Sequence, residues 1–564
     1  MRARLGSIVV GWLVVVVGLW IGTLQRPALA DPARPNVLVI LADDLGFSDL
    51  GAYGGEIDTP HLDRLARGGL RFTQATNTAR CWPSRAALLT GFYPQAIHRD
   101  GLPAGDGREG LPGGAQGTRP PWARLLPELL EAAGYRSYHS GKWHVDGSPL
   151  AQGFDRSLDV TGAGQSNFFD PGGVTVEGKP HPQSDDFYAT TAIGDHAVAC
   201  LRSHAVDHPE KHFFQFVAFT APHFPLQAPP AGIEKYRDRY RAGWEMIRAA
   251  RHARQLAAGI VAGPISEIER DRGPPYPFPE ALQTLGAGEV DRPLEWDRLS
   301  REQQEFQATK MAIHAAMVEA MDEQVGRILD QLEAMRRLDD TLILFASDNG
   351  ASAEIMVRGE GHDPAVPPGS RKSFLCLGPG WSSAANTPFR RHKTWVHEGG
   401  IATPWIVHWP RGVPEGSAGG LRHQPVHLID VAPTVLELAG AKHPPFLVDG
   451  TLVPPMQGWS FSSLLADASA PSLRETSWWC HEGHRAVRVG DKKLVAAKGE
   501  PWALYDLAAD RAETKDVAAT EPDTVARLER EWLRVADDCL ALATDSWLET
   551  DRTDAAAATP VAKP

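Results

Sequence analysis

Cys81 stands out for the company it keeps. In Cys81-Trp82-Pro83-Ser84-Arg85-Ala86-Ala87-Leu88-Leu89-Thr90-Gly91 a thiol lies two residues before a proline and four before an arginine. Pro83 suits the first turn of a helix, where its missing N–H has no partner to lose. Ala86 to Leu89 can continue that helix and Gly91 can end it. Cys81 then falls at a helix N-terminus, where free N–H groups and the dipole favour negative charge. Arg85 adds a cation one turn on, so a reactive group at position 81 is aimed at an anion. A buried core thiol is the competing reading of the same residue. Asp43-Asp44 and Asp348-Asn349 form a second set. Three carboxylates and an amide oxygen brought together repel each other without a cation, and such hard ligands suit Ca2+ or Mg2+ over Zn2+. Taken singly, the Asp43-Asp44-Leu45-Gly46 and Asp348-Asn349-Gly350 stretches also read as ordinary turns. Lys142 and His144 alternate, which puts both on one face of an extended segment. His223, flanked by Pro222 and Phe224-Pro225, has the rigid setting a general acid needs.

These residues need elements that gather them. Residues 36–42, 212–220, 341–347 and 404–409 are apolar runs suited to buried strands. Three of them run directly into Asp43/Asp44, His223 and Asp348/Asn349. Helices are expected from Thr59-Pro60 to Gly68-Gly69 and over 122–133. Another is expected through Ile313, Met317, Met321, Val325, Ile328, Leu332 and Met335, which recur at three- and four-residue steps. Strands alternating with helices imply an α/β fold with a doubly wound, largely parallel central sheet, in which ligands bind beyond the carboxyl ends of the strands. Short strands at 486–489, 493–496 and 504–507, and a helix near 522–539, indicate a smaller C-terminal α+β subdomain with an antiparallel sheet. The expected organisation is an export signal at 1–30, a catalytic α/β domain at 31–449, the subdomain at 450–545 and a disordered tail at 546–564.

The Cys81 stretch resembles the signature C-x-P-S-R-x-x-L-x-T-G of the type I, formylglycine-dependent sulfatases, arylsulfatase-like members of the alkaline phosphatase superfamily. Gly134-Tyr135-Arg136-Ser137-Tyr138-His139-Ser140-Gly141-Lys142-Trp143-His144 resembles their second signature, which ends in G-K-x-H. The segment from Asn386 through Lys393 to His397-Glu398-Gly399-Gly400-Ile401 looks like the one that delivers a substrate-binding lysine in bacterial members. The likeness runs from Asn36 to about Trp532. It is weakest at 101–121 and 230–300, which are expected to shape substrate choice.

The resemblance implies a sulfuric ester hydrolase. Cys81 would be oxidised to formylglycine (3-oxoalanine) by a separate maturating enzyme, and the hydrate would attack sulfur. Asp43, Asp44, Asp348 and Asn349, with the residue at 81, match the Ca2+ ligands; the oxygen set also admits Mg2+. Arg85, Lys142 and Lys393 would grip sulfate oxygens. His223, with Lys393, would protonate the leaving alcohol or phenol, and His144 would deprotonate the second hydroxyl to expel sulfate. The substrate would be a sulfated small molecule or carbohydrate. Two other readings stand beside this one: a phosphonate monoester or phosphodiester hydrolase of the same superfamily, and a sulfated-glycan binder whose Cys81 stays a thiol. His139, His397, Glu398, Asp430 and the 481–486 stretch read as structural.

Composition narrows the choice. A formal net charge of −13 over 564 residues argues against nucleic acid or an anionic membrane surface as the main partner. Arg2, Arg4, the apolar run 8–22 and Ala28-Leu29-Ala30 read as a cleaved export signal, leaving no stable membrane span and a periplasmic or secreted protein. Five cysteines without a C-x-x-C pair argue against a cysteine zinc site. Cys200, Cys376, Cys480 and Cys539 could equally pair in an oxidising compartment or remain thiols.

Overall fold

The structure, a computed structural model, describes residues 34–104, 110–111, 116–160, 167–359 and 361–548. The expected export signal and the tail beyond 548 lie outside these residues. Asn36–Ala42 is buried at every position and forms the middle of the main sheet. Thr341–Ser347 pairs with it in parallel on one side and Phe213–Ala218 on the other. Beyond Phe213–Ala218 come Arg136–Gly141 and Arg156–Asp159, both parallel. On the opposite flank Trp405–His408 joins antiparallel, followed by Leu70–Phe72 and Gly420–Arg422. With Thr175–Val176 and Lys179–Pro180 at the far edge, the sheet has ten strands.

The unbroken apolar run of the central strand follows from a core on each face. Leu38, Ile40 and Ala42 pack with buried residues of the helices Ala189–Asp207 and Arg301–Ala334. Val37, Val39 and Leu41 point the other way, toward the helices Cys81–Thr90, Val431–Ala439 and Pro522–Ala543. Period-two alternation along one strand thus feeds two cores, and the expected doubly wound architecture is present.

Helix boundaries differ from expectation for identifiable reasons. The helix expected over 122–133 covers only Leu126–Glu131. Pro127 sets its start, and the Glu128 carboxylate accepts the Leu125 N–H at 2.9 Å. The long helix begins well before Ile313, at Arg301, behind a reciprocal cap. The Ser300 hydroxyl accepts the Gln303 N–H at 3.2 Å, and the Gln303 side chain accepts the Ser300 N–H at 2.9 Å. Region 230–300, featureless in sequence, holds the helices Pro230–Tyr236, Gly243–Ala257 and Pro279–Leu285. The middle one turns Arg251 inward to Asp49 and Glu56, each at 2.7 Å, so its core face reads as polar.

A separate antiparallel sheet follows in order Thr476–His481, His484–Val489, Lys492–Ala496 and Ala503–Asp506. Its first strand has no counterpart among the expected ones. Glu482 and Gly483, both at positive φ, make the two-residue turn that joins it to the second. Trp547, just past the expected start of the tail, lies edge-on to Trp122. All five cysteines are buried thiols. Among the described residues no helix is long and apolar enough to cross a membrane.

Candidate functional site

Four neighbouring parallel strands end at one edge of the sheet. Ala42 lies opposite Ser347, Leu41 opposite Ala218, and Ala218 opposite Gly141. The segments that follow are stitched together at the same level. The Asp348 N–H donates to the Ala42 carbonyl at 3.1 Å, that of Asp43 to Ala221 at 3.2 Å, and that of Lys142 to Ala218 at 2.8 Å. Gly141 has φ 125°, and a Cβ there would stand 2.0 Å from the Ala218 carbonyl oxygen, so only glycine permits this closure.

The helix Cys81–Thr90 is buried throughout and ends at Gly91, whose left-handed conformation lets its N–H reach the Ala87 carbonyl. Its N-terminal turn is anchored to the strand ends by Ser84, whose hydroxyl donates to the Asp348 carbonyl at 2.5 Å. Arg85 is fully buried and immobilised. Its guanidinium meets Asp348 at 2.8–2.9 Å and the Lys142 carbonyl at 2.6 Å, with Asp43 at 3.7 Å.

Two ammonium groups enter from different segments. Lys142 Nζ lies 2.5 Å from Asp43 Oδ2. Lys393 Nζ lies 2.7 Å from Asp44 Oδ1 and 2.9 Å from Oδ2, and its own N–H bonds the Ala351 carbonyl. The Asn349 amide donates to Asp44 Oδ1 at 2.6 Å. His223 presents Nε2 3.7 Å from Asp44 Oδ2, while its Nδ1 donates to the Phe224 carbonyl at 2.5 Å. His144 departs from the expected alternation with Lys142. The strand ends at Gly141 and His144 has φ 55°, so it reaches the site through a turn, its ring 5.9 Å from that of Trp82.

Burial and charge set the protonation of these groups. Burial raises the Asp43 carboxyl, but Lys142, His223, Arg85 and Lys393 together overcome it and hold it far below its ordinary range. Asp348 goes the other way: burial and the Asp43 charge push it up to about 7 against the pull of Arg85 and Lys142. Burial lowers His223 to about 4, and burial with the charges of Lys142 and Arg85 holds His144 well below its usual value. Burial also raises the Cys81 thiol, although Lys142 and Lys393 oppose it.

Asp43 Oδ1, Asp348 Oδ1 and Asn349 Oδ1 are buried and have no hydrogen-bond partner among the described residues. Oxygens stranded in this way are costly, and a hard divalent cation takes ligands of this type. The residues present therefore fit such a cation. Asp43, Asp44 and His223 also bring ligand atoms within 4.8 Å of one another; His223 was not among the expected metal ligands.

Two contributors escaped the sequence reading. Glu354 spans from Arg80 at 3.2 Å to Lys393 at 3.5 Å, and it follows Asp348-Asn349-Gly350 in a stretch with no periodicity or motif to mark it. Arg80 adjoins Cys81 and donates to Thr394 Oγ1 at 2.8 Å; that adjacency was the only available signal. A cavity of about 670 Å3 between Pro230–Tyr236 and Arg301–Ala334 contains none of the groups described above.

Comparison with known proteins gives consistent relatives. The family model described as Sulfatase matches residues 35–441, and one described as N-sulphoglucosamine sulphohydrolase, C-terminal, matches 390–535. The chain is 31% identical to an uncharacterized sulfatase of Schizosaccharomyces pombe, over 89% of this chain and 94% of that one. It is also 31% identical to the arylsulfatase of Klebsiella aerogenes, over 77% of this chain and 93% of the relative. The solved structure of Ps i-CgsB in complex with k-i-k-neocarrahexaose shares the fold at 24% identity and a TM-score of 0.60, covering 89% and 93% of the two chains.

Proposed function

The chain belongs to the sulfatase family, and from that premise we propose that it hydrolyses sulfate monoesters with a formylglycine made from Cys81 and a bound divalent cation, Ca2+ by family likeness. One observation carries the reading: Asp43, Asp348 and Asn349, in the same cluster of ion pairs as Arg85, Lys142 and Lys393, each keep a buried oxygen with no hydrogen-bond partner among the described residues. The buried thiol itself, with its raised pKa, is a poor nucleophile, so hydrolysis at this position would need the converted residue.

Asp43, Asp44, Asp348 and Asn349 would hold the cation next to residue 81. Once present, the cation supplies a Lewis acid and the aldehyde hydrate a nucleophilic oxygen. Arg85, fixed by Asp348 and the Lys142 carbonyl, presents a cation that needs no reorganisation as charge develops on sulfate oxygens. Lys142 and Lys393 add to that charge from the two sides on which Asp43 and Asp44 hold them. Glu354 helps keep the Lys393 ammonium charged. In His223 the Phe224 carbonyl claims the Nδ1 proton and burial keeps the ring neutral, so Nε2 would pass to the leaving oxygen a proton it takes from the Lys393 ammonium, its neighbour at Asp44 Oδ2. His144, kept neutral by burial and by Lys142 and Arg85, is suited to accept a proton in the release step.

The substrate is a sulfated small molecule or carbohydrate, encountered in the periplasm or outside the cell after a maturating enzyme has acted on Cys81. The test pairs mass spectrometry of the peptide holding residue 81 with rates on an aryl sulfate and on phenylphosphonate. An aldehyde mass with faster sulfate turnover is expected. Full sulfatase activity with an unmodified cysteine would refute the mechanism, and faster phenylphosphonate turnover would move the chain to the phosphonate reading.

A further inference from the structure

Part of region 230–300 comes back to the site. The stretch Gly273-Pro274-Pro275-Tyr276-Pro277-Phe278 touches two of its walls. On one side the Tyr276 ring lies 5.5 Å from the Arg80 guanidinium, and the Trp82 ring lies 5.3 Å from the same group. Arg80 and Trp82 flank Cys81 in the chain, and Arg80 is tied to Thr394 and Glu354, the partners of the Lys393 segment. On the other side Phe278 packs on a small cluster of Phe224, Met356 and Phe374. Phe224 in turn lies against His223, ring centroids 4.0 Å apart. The strap therefore joins the surroundings of residue 81 to the support of His223. A leaving oxygen must lie within reach of its proton donor, so a leaving group held between residue 81 and His223 would extend along the strap.

The chemistry of this wall is specific. Trp82 is buried, its ring against Arg80, His144 and His481, so the Tyr276 ring, braced by the same guanidinium, is the aromatic surface left to a flat partner. Tyr276 remains half-buried, and its hydroxyl donates to Glu482 Oε2 at 2.7 Å. That bond holds a partly exposed carboxylate at the rim, where it opposes any second negative group on the substrate.

We propose that Tyr276 is a specificity-determining residue: braced through Arg80 against Trp82, it forms the leaving-group wall and, with Glu482, selects sulfate esters whose leaving group is flat and uncharged over those carrying a further anionic group. The proposal rests on the sulfatase reading for the identity of the reacting group, but it is tested without turnover. The probes are 4-nitrophenyl sulfate and a disulfated glucosamine, titrated calorimetrically in the presence of Ca2+ against Cys81→Ala protein. Adding Tyr276→Ala is expected to weaken the aryl sulfate about three- to tenfold and to leave the disulfated sugar unchanged or tighter. Tyr276→Phe keeps the ring and is expected to keep aryl binding, which guards against a folding artefact. Glu482→Gln is expected to tighten the disulfated sugar alone. Equal loss for both probes, unaltered aryl binding in Tyr276→Ala, or binding of neither probe would overturn the wall. Lack of hydrolysis by unsubstituted protein that binds in a Tyr276-dependent way would instead count against the sulfatase reading.

Discussion

Asp348 shows how much of the site depends on charges that oppose one another. Burial and Asp43 hold its proton to about pH 7, whereas an unfolded aspartate loses its own near pH 4. Between those values the native state binds more protons than the unfolded one, so this residue's contribution to stability falls as pH rises through the window. Asp43 and Glu354, both held well below their usual range, have the opposite sign: their contribution is present above the unfolded carboxylate value and is lost as pH falls toward their native values. A cation at the Asp348 carboxylate must displace its proton. The rise in melting temperature on adding Ca2+ is therefore expected to grow from about pH 5 to about pH 8, and a shift independent of pH in paired thermal melts would contradict the coupling. Cys81→Ala is expected to abolish sulfate-ester hydrolysis while leaving the melting temperature nearly unchanged, read by activity assay and thermal melt. Proximity of the residues at 43, 81, 142, 223 and 348 was legible because each sits in a short motif or at the end of an apolar run. Glu354 was not, because it acts by touching Arg80 and Lys393, and no local pattern encodes such contacts.

Strands were more legible than helix ends. A strand buried on both faces, such as Asn36–Ala42, announces itself by composition, whereas helix limits depend on single polar atoms. The start of Arg301–Ala334 rests on Ser300 and Gln303, a signal present in the sequence but masked by the polar first turns that lie off the core. Ser300→Ala is expected to cost about 1 kcal/mol of stability, measured by urea denaturation, with no change in turnover. The same lesson applies to Thr476–His481. Its Trp478, Trp479 and Cys480 are all buried, so the strand lacks the alternation that would have marked it.

At the scale of the whole molecule, the second sheet is locked to the segment that delivers Lys393. Lys493 of that sheet lies 2.9 Å from Glu398 and 2.8 Å from Glu513, all of them buried, and Arg511 reaches the other Glu398 oxygen at 2.9 Å. Lys493→Met would leave two buried carboxylates short of a cation, a loss of about 3–5 kcal/mol to be read from denaturant unfolding; a change below about 1 kcal/mol would show the lock to be dispensable. Glu398 thus has the structural role expected of it, though the partner holding it lies nearly a hundred positions later, beyond any sequence pattern. The burial of Cys81 also has a consequence in time. With 4% of its surface exposed, its thiol is expected to resist iodoacetamide in native protein and to react promptly after denaturation. A small sulfate ester can approach a residue exposed to this extent, but a maturating enzyme, as large as a protein must be, would reach residue 81 most readily before the sheet closes beside it. The strands that close it, Asn36–Ala42 and Thr341–Ser347, are separated by most of the chain, and pairings of such long range form slowly. If residue 81 is converted as proposed, conversion and folding would compete, and a mutation that hastens sheet closure would lower the fraction of molecules that become active even while it stabilises every one of them.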